Sequence, residues 1–305
     1  MSGPEPVSET KAGIVALIGA PNAGKSTLMN QLVGSKISIV THKVQTTRAV
    51  MRGIATHENC QIVFVDTPGI FAPRRHLDRA MVTTAWSNAK DADISVLLID
   101  AERGVTEDIE RIVKNLNTVS GTVVLLLNKI DRVQRDGLLA LTSRLNELYA
   151  FDETFMLSAL NGDGCDSFMD YLAKSLPPGP FLYPDDQLSD LPMRVLAAEI
   201  TREKLYLRLH QELPYASHVE TESWEEKKDG SIKISQVIYV ERDGHKKILI
   251  GKKGATIKAI STAARKEISE LVEAPAHLFL FVKVRENWGT DPERYRAMGL
   301  EFPNG

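Results

Sequence analysis

Gly19-Ala-Pro-Asn-Ala-Gly-Lys-Ser26 decides the reading of the first half of the chain. The octapeptide satisfies G-x-x-x-x-G-K-[ST], follows the apolar run Ile14 to Gly19 and opens a helical pattern, which is where a phosphate-wrapping loop must lie. Gly19 and Gly24 let the backbone close around an anion. The N–H groups along Asn22, Ala23, Gly24 and on to Thr27 then point inward at its charge. Lys25 is expected to reach the β- and γ-phosphate oxygens, and the Ser26 hydroxyl to bind Mg²⁺.

Outward from this loop, from Gly13 to about Leu176, short β-rich runs alternate with helical patterns. That is the sequence form of an α/β domain with a mostly parallel, doubly wound sheet. Strands are expected over 14–19, 50–56, 61–66, 94–100, 122–128 and 154–158, with helices starting near Gly24, Leu77, Thr106, Arg135 and Asp166. Such sheets bind ligands beyond the carboxyl ends of their strands. Asp66-Thr-Pro-Gly69 ends one strand, where the Asp66 carboxylate holds Mg²⁺ directly or through water and the Gly69 N–H meets the γ-phosphate. Asn128-Lys-Ile-Asp131 ends another. The Asp131 carboxylate can accept from two guanine donors, whereas adenine offers it none, so the base is read as guanine. Asn128 is expected to brace the loop and reach N7, and the Lys129 stem to lie across the base. Ser158-Ala-Leu160 closes the set, with the Ala159 N–H toward O6.

The residue after Gly69 is Ile70, which cannot orient an attacking water as a glutamine does. No arginine can be assigned as a catalytic finger, although Arg48, Arg74 and Arg75 lie near these loops. Asn22 has two readings: a K⁺ ligand bridging the phosphates, or a hydrogen-bonding residue of the loop itself.

The run 177–192, PPGPFLYPDDQLSDLP, has linker composition. The boundaries drawn from it are a polar tail over 1–11, a nucleotide domain over 12–178, a linker over 179–192 and a second domain with a C-terminal extension over 193–305. The second domain has the order helix, two strands, two helices, strand. Gly251-Lys-Lys-Gly254 sits between its two central helices, where glycines admit a sugar-phosphate backbone and Lys252 and Lys253 add charge. The formal net charge is −3, yet residues 241–266 carry eight Lys/Arg against two acids, a local +6 that leaves −9 for the rest. Lys246, Lys247 and Lys258 belong to this patch. Ile248 and Ile250 are read as groove floor, with Leu249, Ile257 and Ile260 as floor or core. Tyr239, Trp224 and Phe279 are read as packing residues.

Taken together the nucleotide motifs resemble the translation-factor-like GTPases, and Gln45-Thr-Thr-Arg48 narrows the resemblance to the Era family, which joins a P-loop GTPase domain to a smaller α+β type II KH domain. The resemblance spans about 13–284. It implies that Thr47 is the switch threonine meeting Mg²⁺ and the γ-phosphate. It also implies GTP hydrolysis, single-stranded RNA at the KH groove (the 3′ end of small-subunit ribosomal RNA), a role on the precursor small subunit, and peripheral membrane association. The competing expectation, motivated by Ile70, is a passive RNA-binding module whose nucleotide only stabilises it.

Cys60 and Cys165 make no disulfide framework or metal spacing. The longest apolar runs are strand length, short of the ~20 residues that span a bilayer. Met1 to Lys11 lacks the form of a signal peptide. A cytoplasmic protein is expected.

Overall fold

Strands β1 (Lys11–Gly19), β3 (Cys60–Asp66), β4 (Ile94–Asp100) and β5 (Thr122–Asn128) form the middle of a six-stranded sheet edged by β2 (Met51–His57) and β6 (Glu153–Leu157), in the order β2-β3-β1-β4-β5-β6. The computed structural model describes residues 10–286, 288 and 291–302. Every residue of β3 and β4 is buried, because helices cover both faces of a parallel sheet, and this is why these runs show no alternation of apolar and polar residues. Pairing is parallel except between β2 (Met51–His57) and β3, which form an antiparallel hairpin. The last strand, β6, spans Glu153–Leu157. The helices are α1 (Lys25–Val33), α2 (His76–Asp91), α3 (Glu107–Asn115), α4 (Arg135–Leu148) and α5 (Cys165–Ser175). β1 pairs with β3 on one side and β4 on the other, so successive connections diverge at its carboxyl end and open a crevice there.

The second unit contains α6 (Met193–Arg208), β7 (Ser217–Glu226), β8 (Ile232–Val240), α7 (Asp243–Ile250), α8 (Ala255–Leu271) and β9 (Ala276–Val284). Its sheet runs β7-β8-β9, with β8 and β9 parallel. One core joins Leu205, Tyr206 and Leu209 to Ile238, Leu249 and Ile260. A second joins Ile200 and Ile234 to Ala264 and Ile268. α6 stops at Arg208, before Gln211 takes a left-handed backbone at φ 56.

Contacts draw the boundaries differently from composition. One compact unit takes in the chain up to Ser38, Thr47–Asp190 and the residues from Tyr295 on, and the other takes in Ile39–Thr46 and Leu191–Arg294. Part of the stretch read as a linker, 179–192, is tied to the first unit's sheet. Gln61 accepts from the N–H groups of Leu182 (2.8 Å) and Tyr183 (2.9 Å), and Ile54 N donates to Leu188 O (2.9 Å). The C-terminal extension also departs from expectation. Tyr295, Met298 and Leu300 are buried, Val50 N donates to Met298 O (3.0 Å) and Glu301 N donates to Thr84 Oγ1 (3.1 Å). This strap begins within the short helix α9 (Pro292–Ala297). No helix among the described residues is long and apolar enough to cross a membrane.

Candidate functional site

The loop between β1 and α1 is shaped by three left-handed or glycine-only positions: Gly19 (φ 150), Asn22 (φ 64) and Gly24 (φ 101). Only glycine fits at Gly24, since a Cβ there would lie 2.2 Å from Asn128 Nδ2. Lys25 is buried and its ammonium donates to Gly19 O and Ala20 O, both at 3.1 Å, which holds the charge inside the loop. Burial pulls its pKa down to about 8 against the opposing pull of Asp66.

Asp66 gathers three hydroxyls around one carboxylate oxygen. Its Oδ2 accepts from Ser26 Oγ (2.6 Å), Ser38 Oγ (2.9 Å) and Thr47 Oγ1 (3.4 Å), and Thr47 Oγ1 lies 2.9 Å from Ser26 Oγ. Its Oδ1 is buried with no hydrogen-bond partner among the described residues. Burial pushes this carboxyl up, while Lys25 and the three hydroxyls pull it back. A buried carboxylate oxygen without a donor, beside two hydroxyls, is the donor set of a hard divalent cation such as Mg²⁺. Ser26, Thr47 and Asp66, far apart in sequence, are thus brought together.

The base-side loops converge on Asn128. Its Nδ2 donates to Ala23 O (2.8 Å), and its Oδ1 accepts from Lys129 N (2.8 Å) and Ala159 N (2.9 Å). The brace expected of Asn128 is therefore visible. The Ala159 N–H expected to face O6 is here donated to Asn128. Ser158 Oγ donates to Asp131 Oδ1 (2.6 Å), holding the carboxylate in place. Lys129, itself left-handed at φ 66, stretches its side chain to Asn22 O (2.9 Å) and Asp100 Oδ2 (2.5 Å). An open cleft lies between Gly24 and Thr27 on one side and Asn128, Lys129, Asp131, Ser158 and Ala159 on the other. Arg132 and Leu160 also line it.

Sequence reasoning missed Asp100 and Ser38. Asp100 ends β4 level with Asn128, so a carboxylate at a strand's carboxyl end was the available signal. Ser38 carried none. Ile70 is core: 3% exposed, it packs with Ile18, Leu97 and Ile99, and its N–H donates to Gly19 O (3.0 Å). Arg48 is buried at 2% exposure. Gly69 approaches the phosphate loop so closely that a Cβ would meet Pro21 at 2.9 Å.

In the second unit, Gly251-Lys-Lys-Gly254 joins α7 to α8 in a tight turn. Gly251 has φ 73 and no room for a Cβ, which would sit 2.2 Å from Thr256 Oγ1. Lys253 is also left-handed, at φ 51. The Lys252, Lys253, Lys247 and Lys258 side chains are exposed, and Lys246 is half-buried. Ile248 is exposed and Ile250 half-buried, whereas Leu249 and Ile260 are core. Trp224 packs against the core and Tyr239 lies under Arg294, 4.4 Å from guanidinium to ring centre. Phe279 departs from the packing expectation and is 48% exposed, because β9 alternates and its helix-facing positions are Leu278 and Leu280.

The family model described as 50S ribosome-binding GTPase matches residues 14–129, and that described as KH domain matches 212–289. The chain is 68% identical to GTPase Era of Agrobacterium fabrum over 305 residues, covering 100% of this chain and 96% of that protein. It is 70% identical to GTPase Era of Sinorhizobium medicae over 294 residues, covering 96% and 95%. Among solved structures, Era in complex with MgGDPNP and nucleotides 1506–1542 of 16S ribosomal RNA superposes with a TM-score of 0.90 at 36% identity, covering 95% of this chain and 99% of that one. A single-substitution variant of Aquifex aeolicus Era bound to GDP·AlF4⁻ gives the same values.

Proposed function

Because this chain belongs to the Era family of GTPases, we propose that it is a switch whose GTP-bound form grips the 3′ end of small-subunit ribosomal RNA on the precursor subunit. It is a GTP hydrolase with a KH domain that binds RNA. The observation that carries the nucleotide half is the convergence of Ser26, Thr47 and the donorless Asp66 oxygen beside the cleft braced by Asn128. Mg²⁺ would be held by Ser26, Thr47 and Asp66, the last directly or through water, and when bound it neutralises charge on the phosphates. Gly19, Asn22, Ala23, Gly24 and Thr27 are assigned to the phosphate cradle and Lys25 to the β- and γ-oxygens. Gly69 is assigned to the γ-phosphate, and Asn128, Lys129, Asp131, Ser158 and Ala159 to guanine.

The RNA half is assigned to Gly251, Lys252, Lys253 and Gly254 with Lys246, Lys247, Lys258, Ile248 and Ile250. An Era structure holding 16S ribosomal RNA supports it, as do the exposed lysines of the turn. We place the protein in the cytoplasm, with peripheral attachment to the inner face of the cell membrane resting on family resemblance alone.

With no arginine assigned as a catalytic finger, the charge on the phosphates needs other compensation. We assign Asn22 as ligand to a K⁺ ion at that place. Single-turnover GTP hydrolysis in K⁺ and in Na⁺, with and without the RNA, tests both readings. Faster turnover in K⁺ that Asn22→Ala abolishes is expected. Equal rates in the two salts remove the K⁺ role, and turnover no faster than in buffer alone favours the passive RNA-binding module.

A further inference from the structure

Asp66 stands at the carboxyl end of β3, and the same strand begins at Cys60, about 20 Å away at roughly 3.3 Å per residue. β2 ends beside that far end: His57 pairs with Cys60, and the hairpin turns through Glu58, whose backbone is left-handed at φ 52. Asp170 of α5 comes to the same place. The helix buries Phe168, Met169 and Leu172 and leaves Asp170 exposed. His57 Nε2 donates to Asp170 Oδ1 at 2.7 Å, across 113 positions of sequence. The ligand-capable atoms of His57, Glu58 and Asp170 all lie within 4.8 Å of one another. All three residues belong to the first unit.

A surface imidazole–carboxylate pair contributes little by itself. Glu58 changes the chemistry, because it sets a second carboxylate beside the first, and two anions so close repel each other unless a cation stands between them. One nitrogen and two oxygen donors around a common point are three ligands of a divalent transition-metal site. Water can fill the remaining positions, since the His57 and Asp170 side chains are 28% and 51% exposed. The imidazole disfavours Mg²⁺ and Ca²⁺, which take oxygen ligands, and the two carboxylates are harder ligands than Cu⁺ takes. Donors on a tetrahedral zinc ion stand roughly 3.4 Å apart, a spacing that small rotations of these side chains can reach.

We propose that His57, Glu58 and Asp170 form a zinc site at the end of the first unit's sheet away from the nucleotide, where Zn²⁺ ties the β2–β3 hairpin to α5. The ion takes the place of the proton that His57 Nε2 shares with Asp170, and that proton leaves to solvent. The three ligands are brought together only by folding, so the ion binds the folded unit in preference to the unfolded chain and stabilises it. None of the three is assigned to the nucleotide, whose affinity is the internal control.

The test titrates ZnCl₂ into the full-length chain, loaded with Mg²⁺ and GDP and freed of excess nucleotide, and follows binding by calorimetry. One zinc ion per chain is expected. His57→Ala, Glu58→Gln and Asp170→Asn should each weaken that event by about tenfold or more and leave GDP affinity unchanged. Zinc at about 100 times its dissociation constant should raise the melting temperature of the parent protein by about 5 °C, and that of His57→Ala far less. X-ray absorption at the zinc edge should show one imidazole nitrogen among oxygens at about 2.0–2.2 Å. The site is overturned if the parent binds no zinc saturably, if the absorption spectrum shows sulfur ligands, or if any one of the three variants binds zinc as tightly as the parent. Should His57→Ala fail to fold, Glu58→Gln, which alters only an exposed turn, decides in its place: undiminished binding there overturns the site.

Discussion

Lys25 has a pKa near 8 because burial outweighs the attraction of Asp66, and nucleotide binding must depend on pH as a result. The folded value lies below the unfolded one, so above pH 8 the nucleotide-free site holds a neutral amine, while phosphate favours the ammonium. Binding should therefore take up a proton as pH rises through 8, and affinity should fall there. Calorimetry of GDP binding at about pH 9, in two buffers of different ionisation enthalpy, is expected to show uptake approaching one proton. A Lys25→Arg protein that still binds should show none. At Asp131, the Ser158 hydroxyl leaves the carboxylate facing the cleft. Asp131→Asn should lower GTP affinity by on the order of 10³ to 10⁴ and raise that for xanthosine triphosphate, read by competition binding, because an accepting oxygen becomes a donating amide. Both residues were legible in the sequence, since each acts within a short motif. Asp100 and Ser38 were not. They act on partners 29 and 28 positions away, and no local pattern announces a contact made only by folding.

The turn between α7 and α8 shows what an element adds to its residues. Gly251 and Lys253 both take left-handed backbone, which turns the chain sharply enough to leave two adjacent lysines exposed at one point. Changing Lys252 and Lys253 to Asp should remove two attractions to phosphate and add two repulsions. Single-stranded RNA affinity should collapse, and residual binding should depend less steeply on salt, by roughly 0.7 in log–log slope for each phosphate that is no longer neutralised. Filter binding across a salt series measures both, and hydrolysis without RNA should not change. An unaltered slope would make the turn merely structural. Elements were the most legible level: the order of helices and strands follows from apolar period and breakers, and observed boundaries such as Cys60–Asp66 lie within a residue of expectation. The run 179–192 reads as a linker because its prolines announce a break. Its bonds to Gln61 and Ile54 have no signature in composition.

Across the whole molecule, charge is divided unevenly: +6 over residues 241–266 and −9 elsewhere. RNA is thereby attracted to one region and repelled from the remainder, without a basic protein overall. The division into units is the level composition conveyed least, because the first unit is assembled from three separate stretches of chain. Its last piece buries Tyr295, Met298 and Leu300, at about 1.5–3 kcal/mol for each large apolar side chain fully buried. Ending the chain after Arg294 should lower the melting temperature of the nucleotide-binding unit by on the order of 10 °C and leave the RNA-binding unit's transition in place, as seen by calorimetry. An unchanged melting curve would mean the strap contributes nothing. The same strap sets an order of events at birth. Translation proceeds from the N-terminus, so after Asp190 has been added roughly 5–20 s pass before Leu300 follows, and during that interval residues Leu191–Arg294 of the second unit are made. The nascent nucleotide-binding unit waits for its final packing piece, and it is completed only in chains whose synthesis has run through the RNA-binding sequence.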